Sequence, residues 1–290
     1  MQPTRLFAAF TTMMILATSP VHAAEFTAKD LAAEEGKFAA YSVAHDMRAA
    51  FLEFFDDDSS ILRPEMVDAK PWLTARPAPG IVLDWKSQLA VLSASGDLGL
   101  STGPWTATSK KDPKLPADHG QFFSIWKRQP NGNWKVLLDH GISHPGAALQ
   151  DVPLNARELP APAGKPVIDA VDPEQHFILQ SAQSGAAKAY AGAITSHSRL
   201  LRDDRAPLDG EAAIGEYLKT LIGNWSWNTL RSGSSMAGDF VYVLGRYTQR
   251  DAAGATHHGH YIRVWIREQG RWALAGEVMT ALPDPAPPKS

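Results

Sequence analysis

The sequence predicts an α+β protein that contains two tandem copies of one module, each of about 120 residues. In each half of the 290-residue chain, β-rich runs follow a helical segment. Aromatic residues and glycines also recur in the same order in both halves. Strands that come after helices indicate an α+β fold, because a doubly wound parallel sheet requires helices and strands to alternate.

The repeat appears at nearly constant spacings. Five pairs share one sequence offset: Trp85 and Trp227, Gly96 and Gly238, Asp97 and Asp239, Gly103 and Gly245, and Trp105 and Tyr247. Four more pairs have a slightly shorter offset: His119 and His258, Trp126 and Trp265, Trp134 and Trp272, and Asp139 and Glu277. The spacing changes fall in turns, where insertions are tolerated. So many ordered coincidences indicate a duplicated module.

Each copy is expected to begin with a long helix. Residues 37–55 contain no Gly or Pro, and one stripe at helical spacing holds Val43, Met47, Phe51 and Phe54. This stripe predicts the face that packs on the sheet. In the second copy the corresponding helix is expected at residues 173–195. After the first helix, residues 81–144 hold β-rich runs separated by turn sequences, which predict an antiparallel sheet.

Two proline-rich stretches mark the domain boundaries. Residues 148–171 contain four prolines among small and polar residues, a composition typical of an extended linker. We therefore expect a first module at residues 24–147, a second module at 172–284 and a tail at 285–290.

Residues 1–23 have the pattern of a secretory signal peptide. Arg5 supplies the positive charge, residues 6–17 form an apolar run, and Val21-His22-Ala23 offers a cleavage site. The apolar run is shorter than the roughly 20 residues that span a bilayer. We expect a protein that is periplasmic or secreted, with no membrane span after cleavage.

Composition argues against several partners. Lys and Arg number 28 against 31 Asp and Glu, and the resulting net charge of -3 disfavours nucleic acid, which calls for a basic stripe. The chain has no Cys and therefore no disulfide. It also lacks a phosphate-binding loop and a dinucleotide fingerprint, so we expect no cofactor.

Four motifs of the first copy suggest a family. They are Ser95-Gly96-Asp97-Leu98-Gly99, Thr102-Gly103-Pro104-Trp105, Trp126-Lys127-Arg128, and Gly132-Asn133-Trp134-Lys135-Val136 with Asp139 after it. They resemble the SnoaL-like branch of the nuclear transport factor 2-like superfamily, and the resemblance extends over residues 34–147 and more loosely over 172–284. It implies that each module is a cone, in which a curved antiparallel sheet wraps around the N-terminal helix and leaves an apolar pocket at the open end.

Such a pocket is the usual place for a small molecule. In enzymes of this superfamily an acidic residue in the pocket acts as a base or as a neutral hydrogen-bond donor. The candidates for a catalytic role are Asp139, His119 and Tyr41. The candidates for ligand binding are Trp85, Trp105, His140, Glu277 and His258. The Tyr and paired Asp of ketosteroid isomerase have no counterparts at matching positions, which disfavours that activity.

Each candidate also has a structural explanation. A carboxylate at a strand end accepts hydrogen bonds from the backbone or from Arg, and Arg63 and Arg202 are expected in salt bridges. The two His residues before Gly120 and Gly259 can complete hairpin ends. Tryptophans at repeated strand positions usually bury apolar area in the core.

The second copy contains three clustered histidines. His258 and His260 lie two residues apart and share one face of a strand, whereas His257 points to the other face. Two imidazoles alone make a weak site, so we expect no dedicated metal.

Three functions stay open at this stage. The first is binding of a small apolar or amphipathic molecule without chemical change. The second is an isomerase, cyclase or hydratase that uses the pocket acid of the first module. The third is a structural role in which the two modules pack as an intramolecular pseudo-dimer.

Overall fold

The protein is described by a computed structural model that covers residues 26–112, 114–146, 153–161 and 172–283. The predicted signal peptide, most of the predicted linker and the predicted tail lie outside these described residues. No helix among the described residues is long and apolar enough to cross a membrane.

The described residues from 26 to 161 form three helices and eight strands. The helices are α1 (Ala28–Ala44), α2 (Met47–Phe54) and α3 (Ala69–Thr74). The strands are β1 (Phe55–Leu62), β2 (Met66–Asp68), β3 (Ile81–Trp85), β4 (Leu89–Leu92), β5 (Leu98–Ser109), β6 (Asp118–Arg128), β7 (Trp134–Ser143) and β8 (Asn155–Glu158).

The second module repeats this order, with the single strand β11 at the place of β3 and β4. Its helices are α4 (Pro173–Ser184), α5 (Ala186–Ala193) and α6 (Gly210–Leu218). Its strands are β9 (Arg199–Arg202), β10 (Leu208–Asp209), β11 (Asn224–Ser234), β12 (Phe240–Arg250), β13 (Thr256–Glu268) and β14 (Arg271–Ala281). The prediction of two tandem α+β modules is confirmed.

Each module has one sheet. The first runs in the order β2-β1-β7-β6-β5-β4-β8, with β3 also paired to β5, and the second runs β10-β9-β14-β13-β12-β11. The predicted antiparallel pairing holds for most neighbouring strands, whereas β1 with β7, β9 with β14, and β4 with β8 pair in parallel. The pairs β1 with β7 and β9 with β14 join strands that lie far apart in the sequence, and no local sequence signal reveals such a distant partner.

The long first helix of each copy is in fact two helices. Asp46 interrupts the first, because its side chain accepts a hydrogen bond from the Ala49 backbone N–H at 2.8 Å and so caps α2. Gly185 interrupts the second with a φ of +85°, which favours glycine. Because one helix ends and another begins here, the residues of the predicted stripe do not all face the core. Val43 of the stripe is 45% exposed, whereas Phe51 of the stripe and Phe38 outside it are buried.

Residues that recur in the sequence occupy equivalent positions in the two sheets. Trp85 pairs with Trp105 between β3 and β5, as Trp227 pairs with Tyr247 between β11 and β12. The copies therefore place matching side chains at matching points, and a difference between two matched residues identifies a difference between the two interiors.

Side chains of both sheets share one buried cluster. From the first module it includes Leu100, Phe123 and Leu138, and from the second Leu244 and Val264. These contacts bury apolar area that either sheet alone would leave in water.

A reciprocal pair of hydrogen bonds joins two turns of the modules. The Ala94 backbone N–H donates to Asp239 at 2.8 Å, and the Met236 backbone N–H donates to Asp97 at 3.0 Å. The two aspartates form a repeat pair in the sequence, and each accepts a hydrogen bond from a backbone N–H in the turn of the other module.

One part of the predicted linker belongs to the first sheet. Residues 155–158 form β8, which pairs in parallel with β4. Arg157 of this strand also donates a hydrogen bond to Glu268 of the second module at 2.6 Å. The prolines on either side of these residues led us to predict a linker. A strand of four residues can nevertheless form wherever a sheet edge is free to pair with it.

Candidate functional site

The first module contains a cavity of about 340 Å³ between α2 and the concave face of its sheet. Its apolar wall includes Phe51 of α2, Leu83 and Trp85 of β3, Trp105 of β5 and Phe122 of β6. The polar groups in the lining are Arg63, Asp118, Asp139, His140 and Ser143. A concave, mainly apolar space with a few polar groups is typical of a small-molecule site.

Asp139 is the half-buried carboxyl group of this cavity. It lies on β7 opposite Ser124 of β6, whose hydroxyl donates a hydrogen bond to it at 2.9 Å. Burial raises the pKa of Asp139 to about 7, because it disfavours the charged form, and the hydrogen bond from Ser124 and the charge of Arg63 only partly oppose this effect. The raised pKa favours the protonated form of this carboxyl relative to an exposed Asp.

Glu35 of α1 is a second carboxyl group in the same cone. It is fully buried and accepts hydrogen bonds from the indole N–H groups of Trp85 and Trp126, both at 2.7 Å. Burial raises the pKa of Glu35 to about 7, against these hydrogen bonds, and the charge of Asp139 adds to the rise. Trp85 connects the two parts of the site, since one face borders the cavity and its N–H binds Glu35.

Aromatic rings enclose the space around these carboxyls. Phe38 packs edge-on against Trp85 with the ring centroids 4.7 Å apart, and Phe122 lies 6.4 Å from Trp85. Trp105 lies over Gly120, where a β-carbon would overlap the indole ring. The glycine is thus required for the ring to lie flat on the sheet.

The corresponding interior of the second module is filled. Arg263 occupies the position of Ser124, opposite Glu277 instead of Asp139. Its guanidinium group is fully buried and donates hydrogen bonds to Glu174 at 2.7 Å, to the Tyr190 hydroxyl at 3.0 Å and to Glu277.

Rings surround this guanidinium on several sides. It lies 4.1 Å from the ring centroid of Phe177, 4.3 Å from that of Tyr261 and 4.5 Å from that of Trp227. Cation–π attraction of this kind is strongest where water is excluded. The second cone therefore holds a buried cation at the register position that Ser124 occupies in the first cone.

Glu277 was predicted as a ligand-binding residue, and the structure gives it a different environment. It is fully buried and accepts hydrogen bonds from Arg202, Arg263 and the Tyr190 hydroxyl, the last at 2.9 Å. Burial alone would raise the pKa of Glu277, but the two arginines outweigh it and hold the pKa below its usual value. The carboxylate is occupied by partners within its own module.

Four of the predicted residues line the cavity of the first module, namely Asp139, Trp85, Trp105 and His140. His140 is also tied to the second module, because its Nε2 lies 2.9 Å from the Thr280 hydroxyl. Burial, together with the charges of Arg63 and His260, lowers the pKa of His140 to about 3. The imidazole is therefore neutral, and we assign it to the contact between the modules.

The structure does not bring His119, Tyr41 or His258 to this cavity. His119 lies beside Thr106 at a hairpin end, 3.4 Å from its hydroxyl. Tyr41 packs against His45 on the helix side, with ring centroids 4.1 Å apart. His258 is exposed and lies 3.1 Å from the Thr248 hydroxyl. His258 also lines a separate hollow of about 480 Å³ beside Trp227 and Tyr247.

Two features of the cones were not predicted from the sequence, namely Glu35 and the exchange of Ser124 for Arg263. Glu35 recurs as Glu174 at the same offset that relates Trp126 to Trp265, so a signal was present. The exchange of Ser for Arg had no such signal, since a search for recurring residues passes over positions that differ.

Other hollows lie elsewhere in the two modules. One of about 600 Å³ lies between turns of the two modules and is lined largely by exposed polar groups, including Asp58, Arg128 and Arg231. Another of about 490 Å³ lies against α4 and α5 of the second module, beside Trp272. Among the described residues, no group of three or more His, Asp and Glu could hold a metal ion.

Comparisons with known proteins bear on the fold. No family model and no curated protein matches the chain. Among solved structures, an NTF-2-like protein of unknown function from Shewanella oneidensis matches with 13% identity and a TM-score of 0.32 over 38% of this chain and 97% of its own. A ketosteroid isomerase-like protein from Erwinia carotovora matches with 12% identity and a TM-score of 0.32 over 38% of this chain and 92% of its own.

A third match has a different printed role. It is a putative calcium/calmodulin-dependent protein kinase II association domain from Xanthomonas campestris, with 15% identity and a TM-score of 0.33 over 38% of this chain and 84% of its own. Each of the three alignments spans about the length of one module.

Proposed function

We propose that this chain is an exported binding protein whose first module holds a small amphipathic molecule, while the second module serves as its built-in structural partner. The observation that carries the proposal is the exchange of Ser124 for Arg263 at one equivalent position. A small side chain accompanies a cavity in one cone, and a large charged one fills the other.

The walls of the first cavity favour a ligand with an apolar body. Phe51, Leu83, Trp85 and Phe122 line it, and each would contribute contact area to an apolar molecule. Asp139 is the polar group best placed to fix the orientation of such a ligand, because it is half-buried and lies among these side chains. Its raised pKa allows it to accept or to donate a hydrogen bond near neutral pH.

The second module supports the first through the buried cluster that both sheets share. Two copies that pack through their sheets form an intramolecular pseudo-dimer, and fusion in one chain fixes the partner at high effective concentration. The second cone suits this structural role, because paired charges and aromatic rings occupy its centre.

An enzymatic role of isomerase, cyclase or hydratase type is the second candidate. A carboxyl group with a pKa of about 7 at a cavity has the property required of a general acid or base at neutral pH. Binding is the better supported role, because the side chains proposed as catalytic partners, His119 and Tyr41, lie outside this cavity.

A thermal-shift screen with small aromatic and amphipathic metabolites tests the binding role. Ala107 lies in the wall of the first cavity, so Ala107→Leu should abolish the stabilisation that a ligand gives to the wild type. Ala193→Leu is the matched control, because Ala193 lines the hollow beside α5 of the second module. If the control variant loses binding and Ala107→Leu keeps it, the proposal is refuted.

Export is tested separately by expressing the full chain, including residues 1–23, in a bacterium. The positive, apolar and small-residue segments of residues 1–23 support cleavage after Ala23. Mass spectrometry of the periplasmic fraction should then find a chain that begins at Ala24. Full-length protein confined to the cytoplasm would contradict export while leaving the binding role intact.

A further inference from the structure

The filled cone of the second module indicates what the first cone is suited to bind. The group at the centre of the second cone is a flat cation with several N–H donors, the guanidinium of Arg263. It sits between two carboxylates, those of Glu174 and Glu277, which accept its hydrogen bonds. A guanidinium is weakly hydrated and pairs well with both carboxylates and aromatic faces, so such an environment suits it.

The first module keeps the ring part of this environment. The three rings within 4.5 Å of the guanidinium have aromatic counterparts at equivalent positions. The matched pairs are Phe177 and Phe38, Trp227 and Trp85, and Tyr261 and Phe122. Trp85 and Phe122 border the cavity directly, and Phe38 packs against Trp85.

The first module also keeps both carboxyl groups. Glu35 corresponds to Glu174 and accepts the indole N–H of Trp126, just as Glu174 accepts that of Trp265 at 2.8 Å. Asp139 corresponds to Glu277, in the same register opposite the exchanged residue. The cation is replaced by the small neutral side chain of Ser124, and Tyr190, whose hydroxyl bonds Arg263, is replaced by Phe51.

The charges of the two interiors consequently differ. In the second cone two carboxylates face two arginines, Arg202 and Arg263, and both arginines are buried. In the first cone two carboxyls face one arginine, Arg63, which lines the same cavity as Asp139 and whose charge favours the ionised form of that carboxyl. One positive charge is missing from the interior of the first cone, and a proton or a bound cation can supply it.

We propose that the ligand of the first cone carries a flat cationic group of the amidinium or guanidinium class, attached to an apolar body, and that this group binds Asp139 beside Trp85 and Phe122. The proposal rests on the binding role proposed above. The apolar body would lie against Phe51 and Leu83, and the cation would stand where Arg263 stands in the second cone.

Binding of a cation at this place should release a proton. The charged and titratable groups that face Asp139 are Glu35 from α1, Arg63 from the end of β1, Asp118 at the rim and the neutral His140. A cation favours the ionised form of an adjacent carboxyl, so the proton that Asp139 holds passes to the buffer. No covalent bond forms or breaks in this step apart from that proton transfer.

Isothermal titration calorimetry of the full mature chain tests the proposal with three probes of one shape: benzamidine, its neutral analogue benzamide, and the anion benzoate. Benzamidine should bind at least about tenfold more tightly than benzamide, the ratio expected for one charge-assisted hydrogen bond. Its affinity should rise between about pH 6 and about pH 8, and its binding enthalpy should depend on the ionisation enthalpy of the buffer.

Two variants complete the test. Asp139→Asn should bring the affinities for benzamidine and benzamide to the same value, and Ser124→Arg should abolish binding of all three probes by placing a cation inside. Equal affinities in the wild type, or tightest binding of benzoate, would overturn the cationic ligand while the binding role stands. If no probe binds the wild type and no metabolite stabilises it, both proposals fail together.

Discussion

Ser124 on β6 and Arg263 on β13 occupy the same register position in the two modules, facing Asp139 and Glu277 on the neighbouring strands. The first pair leaves a half-buried carboxyl beside a cavity, and the second pair buries an ion pair within a ring of aromatic side chains. One exchanged residue thus accompanies the difference between a carboxyl beside a cavity and a carboxylate in a buried ion pair.

Arg263→Leu should destabilise the protein strongly. The change leaves Glu174 and Glu277 in the buried interior without their shared partner, which typically costs about 3–5 kcal/mol. Urea unfolding monitored by circular dichroism measures the loss. Arg246→Leu is the matched control, because Arg246 pairs with the exposed Glu65 and should contribute about 1 kcal/mol or less. Equal losses in the two variants would contradict the structural role of the second cone.

The stability of the ligand-free protein should fall as the pH rises towards 7. Asp139 has a pKa of about 7 in the folded state, raised mainly by burial, against a usual value of 3.8 in the unfolded chain. Between these values the folded state keeps a proton that the unfolded state has lost, so stability declines by up to about 1.4 kcal/mol per pH unit for this group. Glu35 acts in the same direction.

Asp139→Asn should flatten this decline, because the amide does not titrate and can still accept the hydrogen bond from Ser124. Unfolding free energies measured from about pH 5 to about pH 7.5 test the prediction. The exposed residue Asp84 provides the control, as Asp84→Asn should leave the pH profile of the wild type unchanged. A wild-type slope retained in Asp139→Asn would show that this carboxyl keeps no proton on folding.

The two modules should unfold together. Their sheets share a buried cluster, so loss of one module exposes apolar area of the other. Urea unfolding followed by far-ultraviolet circular dichroism and by tryptophan fluorescence should give coincident single transitions. Two separate transitions would indicate that the modules are stable independently and that the second is dispensable for the first.

Asp239→Ala should weaken the contact between the modules. The buried carboxylate of Asp239 accepts hydrogen bonds from the Ala94 backbone N–H at 2.8 Å and from the Ser235 hydroxyl at 2.6 Å, and its loss should cost about 1–3 kcal/mol. Asp57→Ala removes a carboxylate of an exposed ion pair with Lys70 and should cost much less. Similar unfolding free energies for the two variants would argue against a stabilising role for this contact.

Much of the fold could be predicted because duplication marks it. Matched tryptophans and aspartates identified two modules, and the structure places Trp85 and Trp227 in equivalent strand pairs. The parallel pairing of β1 with β7 could not be predicted, because the two strands are far apart in sequence and either direction satisfies the hydrophobic pattern. The break at Asp46 was missed because a single capping side chain decides it.

The site was only partly predictable for a related reason. Asp139, Trp85 and Trp105 were identified from recurrence and strand position, and they do line one cavity. His119 recurs equally well but lies at a hairpin end. A residue can be retained in both copies because of folding constraints as well as function, so recurrence alone does not identify a functional residue. The two cones differ by the exchange of Ser124 for Arg263, which a search for recurring residues does not find. The exchange can be interpreted only when the structure shows that Ser124 lies beside Asp139 in the same cone as Glu35.

A crystal structure of the protein soaked with iodobenzene tests whether the first cone binds an apolar molecule, because the anomalous signal of iodine locates the probe without ambiguity. We expect iodine in the first cone, in contact with Trp85 and Phe122 and near Asp139, and none in the second cone around Arg263. Iodine bound within the second cone, or iodine bound elsewhere with the first cone empty, would contradict the binding role of the first module.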